Sequence, residues 1–227
     1  MQLQRFYLLL LIILPLSNNS FSQKKKSLSN LSYKQANDSI KKYFKTDSTK
    51  AIYYSKRYIY KSQQEKNKKE EFNGYHLLGI LYYKNNHLDK AIETSEIYLE
   101  FAKKNNLINE LLKAYILRSN LIIEEKGLQD LSVLESFQKG LNTAKTHNKK
   151  VWICIFLNKI SEFHSFTENY EEVITIKKNI ISKIKSIKNA SEKKELKIWG
   201  LNLSVSYNDL VDSYLKTKKI DSSKYYN

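Results

Sequence analysis

From Tyr33 onward the chain alternates between apolar residues spaced three or four apart and short polar breaks. The clearest stretch begins at Phe72. Tyr75, Leu78, Gly79 and Tyr82 follow at steps of three, one and three, which places all four on one helical face. Lys84-Asn85-Asn86-His87 interrupts the pattern, and Leu88, Ala91, Ile92, Ser95 and Tyr98-Leu99 resume it. The spacing predicts two amphipathic helices joined by a short polar turn. Gly79 and Ala91 are the expected point of closest approach, because antiparallel helices come near only where contact positions lack bulk.

The same pattern extends in both directions. Tyr115-Ile116-Leu117-Arg118-Ser119 aligns with Tyr75 to Gly79 forty residues on, with Arg118 at an apolar position. Its partner helix would hold Val133, Phe137, Gly140 and Leu141. A further pair is expected from Leu157, Ile160, Ser161 and His164, followed by a helix opening at Tyr170-Glu171-Glu172-Val173. Upstream, Asp47 or Ser48 is a suitable N-cap for a helix through Ala51, Ile52, Ser55, Tyr58 and Ile59, preceded by a helix from Tyr33 to Phe44. Near the end, Tyr207, Leu210, Val211 and Tyr214 read as a first helix, with a second starting at Ile220, Asp221 and Ser223.

Tyr75, Leu78-Gly79, Tyr82, Leu88, Ala91 and Tyr98 resemble the tetratricopeptide repeat pattern, with Ser95 and Lys103 standing where that family usually has a large aromatic and a proline. The resemblance covers about residues 33 to 190. It implies an all-α fold, an α-solenoid of antiparallel helix pairs forming a superhelix, with units at about 33–68, 72–105, 110–148 and 150–188 and an incomplete one at 196–227. The spacing is 40 residues from Gly79 to Ser119 and 42 from Ser119 to Ser161, against about 34 in the family. Longer helices, or longer loops such as Lys103 to Asn109, would account for the excess. The chain is similar to the divergent arrays of Bacteroidetes sensory and regulatory proteins. An array needs a polar terminal cap, and this one ends about four residues into an expected helix. A truncated member or a fragment is therefore expected, and the alternative function is the sensor portion of a membrane-bound transcriptional regulator or histidine kinase. By the resemblance, the ligand-facing positions are Asn73, His76, Ile80, Tyr83 and Lys84 in one unit and Lys113, Ile116, Asn120 and Ile123 in the next. The implied function is non-catalytic protein or peptide binding.

Composition supports helices. With 5 Gly and 1 Pro in 227 residues, the chain lacks the material for the many tight turns of a sheet-rich fold. The formal charge is +16, but of the 39 basic side chains three are Arg (Arg5, Arg57, Arg118), leaving 36 Lys. Phosphate and base recognition leans on the guanidinium fork, so no nucleic-acid partner is expected, and an acidic protein or peptide is the partner the charge favours. Residues 1–22 have the layout of a secretory signal: Arg5, an apolar run from Phe6 to Leu16, then small residues at Ser20 and Ser22. The apolar run is too short for a stable membrane span. Export to the periplasm or beyond is expected, with cleavage before Gln23, a flexible leader over 23–32 and the repeat domain over 33–227. Oligomeric state is left open.

Candidate chemistry is sparse. His76, His87, His147 and His164 show no metal-ligand spacing, and Cys154 lies alone in an apolar run. There is no nucleophile elbow, phosphate loop or dinucleotide fingerprint. Glu70-Glu71, Glu124-Glu125 and Glu171-Glu172 sit beside expected turns or helix starts, where electrostatics explains them. The 17 Tyr fall largely on packing positions. No catalytic residue, metal or cofactor is expected.

Overall fold

A computed structural model describes residues 31–217, and within them it is all helical. The expected signal segment, nearly all of the leader and the helix from Ile220 lie outside the described residues. Ten helices follow in order: α1 Tyr33–Tyr43, α2 Ser48–Gln64, α3 Lys68–Lys84, α4 Leu88–Lys104, α5 Ile108–Lys126, α6 Leu131–Thr146, α7 Lys150–Phe166, α8 Tyr170–Ser186, α9 Ala190–Ile198 and α10 Leu203–Lys216. None of them is long and apolar enough to cross a membrane.

The long repeat period has a simple origin. Helices α2 to α5 start at residues 48, 68, 88 and 108, and α7 to α9 at 150, 170 and 190. Each 20-residue step is a 17-residue helix plus a three-residue turn. The excess over the family period therefore lies in the helices. The expected long loop from Lys103 to Asn109 is only the turn Asn105-Asn106-Leu107, because both flanking helices continue into it.

Six of the nine links between the described helices share one build. The middle residue is left-handed: Lys66, Asn86, Asn106, Asn148 and Glu168 have φ between 50° and 59°, and Gly200 has 71°. The next amide reaches back to a carbonyl in the last helical turn, as in Asn67 N to Ser62 O at 2.9 Å, Lys149 N to Ala144 O at 2.8 Å and Asn169 N to His164 O at 2.8 Å. These are Schellman closures, which satisfy carbonyls that a helix end leaves orphaned. Several starts are capped by side chains: Asp47 accepts from Lys50 N at 3.0 Å and Asn202 from Val205 N at 2.9 Å, and Ser32 forms a capping box with Gln35.

The chain forms two compact units, one ending at His87 and one starting at Leu88. Gly79 and Ala91, expected at one crossing, fall in different units, and both are buried. In the first unit α1 packs on α2 and α2 on α3. A three-residue link between packed helices makes them antiparallel. Its core is Ala36, Ile40, Ala51, Tyr58 and Leu81, edged by Tyr33, Tyr43, Phe44, Ile52, Tyr54 and Leu77. Here the small residue at the crossing is Gly74: a Cβ there would lie 2.6 Å from Ile59 Cγ1.

In the second unit α4 packs on α5, α5 on α6, α6 on α7, α7 on α8 and α8 on α10, while α9 lies against α7. The main core gathers α7 from Val151 to Phe163 with Leu112, Val133, Phe137, Ile176, Ile180, Leu196 and Leu201, among others. A satellite cluster of Ile174, Ile181, Leu210 and Tyr214 joins α8 to α10. The Phe156 ring occupies the space a side chain at Gly140 would need, so α6 and α7 meet by a ring laid on bare backbone. Arg118, odd at an apolar position, pairs its Nε with Glu96 Oε1 of α4. The short helix α9 has no counterpart in the repeat pattern, and the unit expected from 196 begins inside it.

Candidate functional site

The expected ligand-facing residues divide between the units. In the first, Asn73 is half-buried and donates to Glu70 Oε2 at 3.1 Å. Glu70 also accepts from the Tyr58 hydroxyl, so Asn73 belongs to the polar seam between α2 and α3. The half-buried His76 ring stacks on Phe72 with centroids 6.2 Å apart. Ile80 and Tyr83 are half-buried, and the exposed Lys84 places its ammonium 5.5 Å from the Tyr83 ring centre.

In the second unit Lys113 and Asn120 are exposed and Ile123 is half-buried. Ile116 is only 6% exposed and sits within the main core. It shares a helical face with Leu112 and Ser119, both fully buried, so it faces inward, which corrects its expected place among the ligand-facing residues.

Two clefts lie at opposite ends of α7. The one at its start holds about 530 Å³ and is lined by Asn109, Lys113, His147, Lys149, Trp152, Glu192 and Glu195, among others. Lys113 is the expected site residue that this cleft takes in. The carboxylates come from α9, the lysines from α5, the α6–α7 turn and the first residue of α7.

The cleft at the end of α7 holds about 320 Å³ and is walled by Ser161, Glu162, Ser165, Phe166, Val173, Asp209, Asp212 and Ser213, with Lys177 in its lining. Lys177 is 4% exposed. Its ammonium donates to Asn158 Oδ1 at 2.8 Å and to Asp209 Oδ2 at 2.5 Å. Burying a charge is costly unless it is paired and hydrogen-bonded, and here α7, α8 and α10 together supply the partners. Asn158 passes the network on by donating to Glu162 Oε1 at 2.7 Å. Outside the lining, Lys159 pairs with Glu162 at 2.7 Å and Lys216 with Asp212 at 2.8 Å. Each carboxylate of the lining thus has a lysine partner, Asp209 the buried Lys177, and Glu162 and Asp212 the partly exposed Lys159 and Lys216, whose surface pairs are weak enough for a ligand's cation to replace. Phe166, 58% exposed, stands at the edge.

Sequence reasoning did not find this cleft, although one signal pointed to it. Moving Ile116, Asn120 and Ile123 on by the 42-residue spacing gives Asn158, Glu162 and Ser165: one member of the Lys177 network and two cleft residues. Lys177 and Asp209 are 32 residues apart on different helices, beyond any local periodicity. Cys154 is fully buried, and desolvation pushes its thiol up to about 11, which keeps it protonated and inert at neutral pH. Among the described residues no three of His, Cys, Asp and Glu converge on a point that would hold a metal.

No family model matches the sequence, and no curated protein matches it. Solved structures do match the fold. BtubC (BKLC) from P. vanneervenii superposes with a TM-score of 0.64 at 13% identity, over 85% of this chain and 74% of its own. The apo form of RapI gives 0.68 at 13% identity, over 92% of this chain, which spans 57% of RapI. A Podosopora anserina protein of the kinesin light chain type, with nearly identical TPR-like repeats, gives 0.58 at 10% identity, over 88% and 92% of the two chains. At these identities the shared property is the fold: this chain is an all-α, TPR-like helical repeat.

Proposed function

We propose that this protein is a non-catalytic scaffold that works outside the cytoplasm and binds a segment of a partner protein across the clefts flanking α7. The observation that carries the reading is the cleft over Lys177. Its buried cation is already satisfied by Asn158 and Asp209, so the floor is fixed before any ligand arrives, and a preformed site avoids an ordering cost on binding. Its lining offers carboxylates and an exposed aromatic edge, which suit a lysine or arginine side chain presented by an extended or helical segment. Helical repeats present such clefts on rigid elements. Placement outside the cytoplasm rests on Arg5, the apolar run Phe6 to Leu16 and the small residues Ser20 and Ser22.

Selection of displayed random peptides against the protein tests the binding reading. Enriched peptides should carry a basic residue and lose about tenfold or more in affinity for the Glu162→Lys, Asp212→Lys double variant, as expected when attraction becomes repulsion. Peptides that bind both proteins equally, or no enrichment at all, would refute the cleft as the site. The location is tested by fractionating cells that express the full chain. A product beginning at Gln23 outside the cytoplasm is expected, and a product retaining Met1 inside would overturn it.

A further inference from the structure

The second unit holds a third concavity, remote from the Lys177 network in chemistry and built on the helix that breaks the repeat. It is a groove of about 600 Å³ between the end of α8, one face of α9 and the start of α10. Its floor is apolar. Ile187, Leu196 and Leu201 are buried members of the main core, Ile184 packs against that core, and Leu203 packs against the α8–α10 cluster. The groove thus runs along the seam where two hydrophobic clusters meet.

The polar groups at its margin are of one kind. Lys185, Lys193 and Lys197 line it together with Asn202, and no carboxylate does. The two acids of α9, Glu192 and Glu195, line the cleft on the helix's other side. Helix α9 therefore turns two of its three lysines, Lys193 and Lys197, toward this groove and its two carboxylates away. The N-terminus of α10, which opens here, carries no acid in its first turn, so its partial positive charge adds to the lysines. The end of α8 also opens here, with Lys183 and Lys185 in its last turn.

We infer that this groove docks an acidic amphipathic segment of a partner polypeptide, apolar side chains on the floor and Asp or Glu against Lys185, Lys193 and Lys197. Charge complementarity selects the occupant: an all-lysine margin over an apolar floor matches a ligand that is apolar on one face and anionic on the other. The volume falls within the range of small ligand sites and admits a few side chains. A recessed floor of this kind receives a protruding ligand side chain. This site is separate from the cleft over Lys177, and each stands or falls alone.

The two tryptophans provide the readout. Trp199 is the C-cap of α9, two residues after the groove-lining Lys197 and two before Leu201, and its ring lies 5.4 Å from that of Trp152. The probe is a synthetic peptide of about twelve residues with leucines on one helical face and glutamates on the other. It should shift tryptophan emission saturably, and binding should weaken several-fold between about 50 mM and about 500 mM salt. The Lys193→Glu, Lys197→Glu double variant, its helix content checked by circular dichroism, should bind about tenfold or more weakly. The Glu162→Lys, Asp212→Lys variant should bind as wild type, which separates this site from the one above. Equal binding of the peptide by the Lys193/Lys197 variant would overturn the inference. So would equal affinity for a lysine–leucine counterpart, or binding to vesicles of anionic phospholipid without binding of the peptide.

Discussion

The two compact units are held together by different chemistry. The first unit's core is small, and much of its bulk is tyrosine. Tyr33 and Tyr58 lie with ring centres 5.0 Å apart, and Tyr43 and Tyr54 stack at 5.8 Å. Lysine ammoniums cover Tyr33 and Tyr43 at 5.3 to 5.5 Å, and Tyr58 donates to Glu70. The second unit is organised around α7, where every residue from Val151 to Leu157 is buried, and its core is mainly aliphatic, with a few large aromatic rings. In the first unit polar tips are part of the adhesion, and protonation and salt act on it. In the second, volume dominates around α7 and cavities act on it there, while lysine–tyrosine contacts and the buried Lys177–Asp209 pair also tie α8 to α10. A shared repeat fold therefore leaves open which force holds a given segment.

Three substitutions test that contrast, taken from the largest effect to the smallest. Phe156→Ala removes a fully buried ring laid over Gly140 and should cost the second unit about 3–5 kcal/mol. Urea unfolding followed by tryptophan emission reads it, since Trp152 and Trp199 both belong to that unit. A loss below about 1 kcal/mol would mean the core collapses around the gap and that volume is not its governing term.

Gly74→Ala places a Cβ 2.6 Å from Ile59 Cγ1 and 3.3 Å from the Ile59 backbone nitrogen. Overpacking of about 1–3 kcal/mol should exceed the gain of up to about 1 kcal/mol from better helix propensity. The loss should appear in thermal melts by circular dichroism while the tryptophan transition stays where it was. If both transitions move together, the two units unfold as one and the contrast dissolves.

Tyr58→Phe, the mildest change, should cost the first unit about 1 kcal/mol through the lost bond to Glu70. It also carries a pH signature. Burial and the neighbouring Glu70 hold the Tyr58 hydroxyl well above the usual tyrosine range, and burial with Glu65 does the same for Tyr33. The folded state thus keeps protons that the unfolded state releases above about pH 10. Their contribution is whole below that point and declines as pH rises past it. Tyr98 in the second unit, raised by burial, behaves the same way. Stability profiles between about pH 9 and about pH 11 should show the variant losing less than wild type in the first unit and equally in the second.

The helices were legible because their evidence is local. Apolar spacing around Phe72 and Leu88 placed α3 and α4, and Asp47 caps α2 as its residue type suggested. What escaped was pairwise and distant. Gly79 drew attention through its motif, whereas Gly74 is the glycine in close contact with α2, and no pattern within α3 distinguishes it. Ile116 was misplaced because its register was borrowed from α3, although Leu112 and Ser119 put it on the buried face of α5. Helix α9 carries a single buried residue, Leu196, too few to leave a periodic trace. Both clefts at the ends of α7 and the groove beside α9 depend on that kind of information: which side chains of separate helices meet.

One feature of the architecture reaches beyond this chain. Among the described residues, six of the nine links between helices are three residues long and five of the ten helices are 17 residues long. The block of two helices and two turns from 48 to 87 is thus a length of 40 residues whose two turns close in the same way. Duplicating or deleting such a block alters the copy number and leaves every junction chemically as before. Growth and shrinkage by whole blocks is therefore open to this architecture, while gain or loss of a few residues inside one would rotate the buried face away from its neighbour.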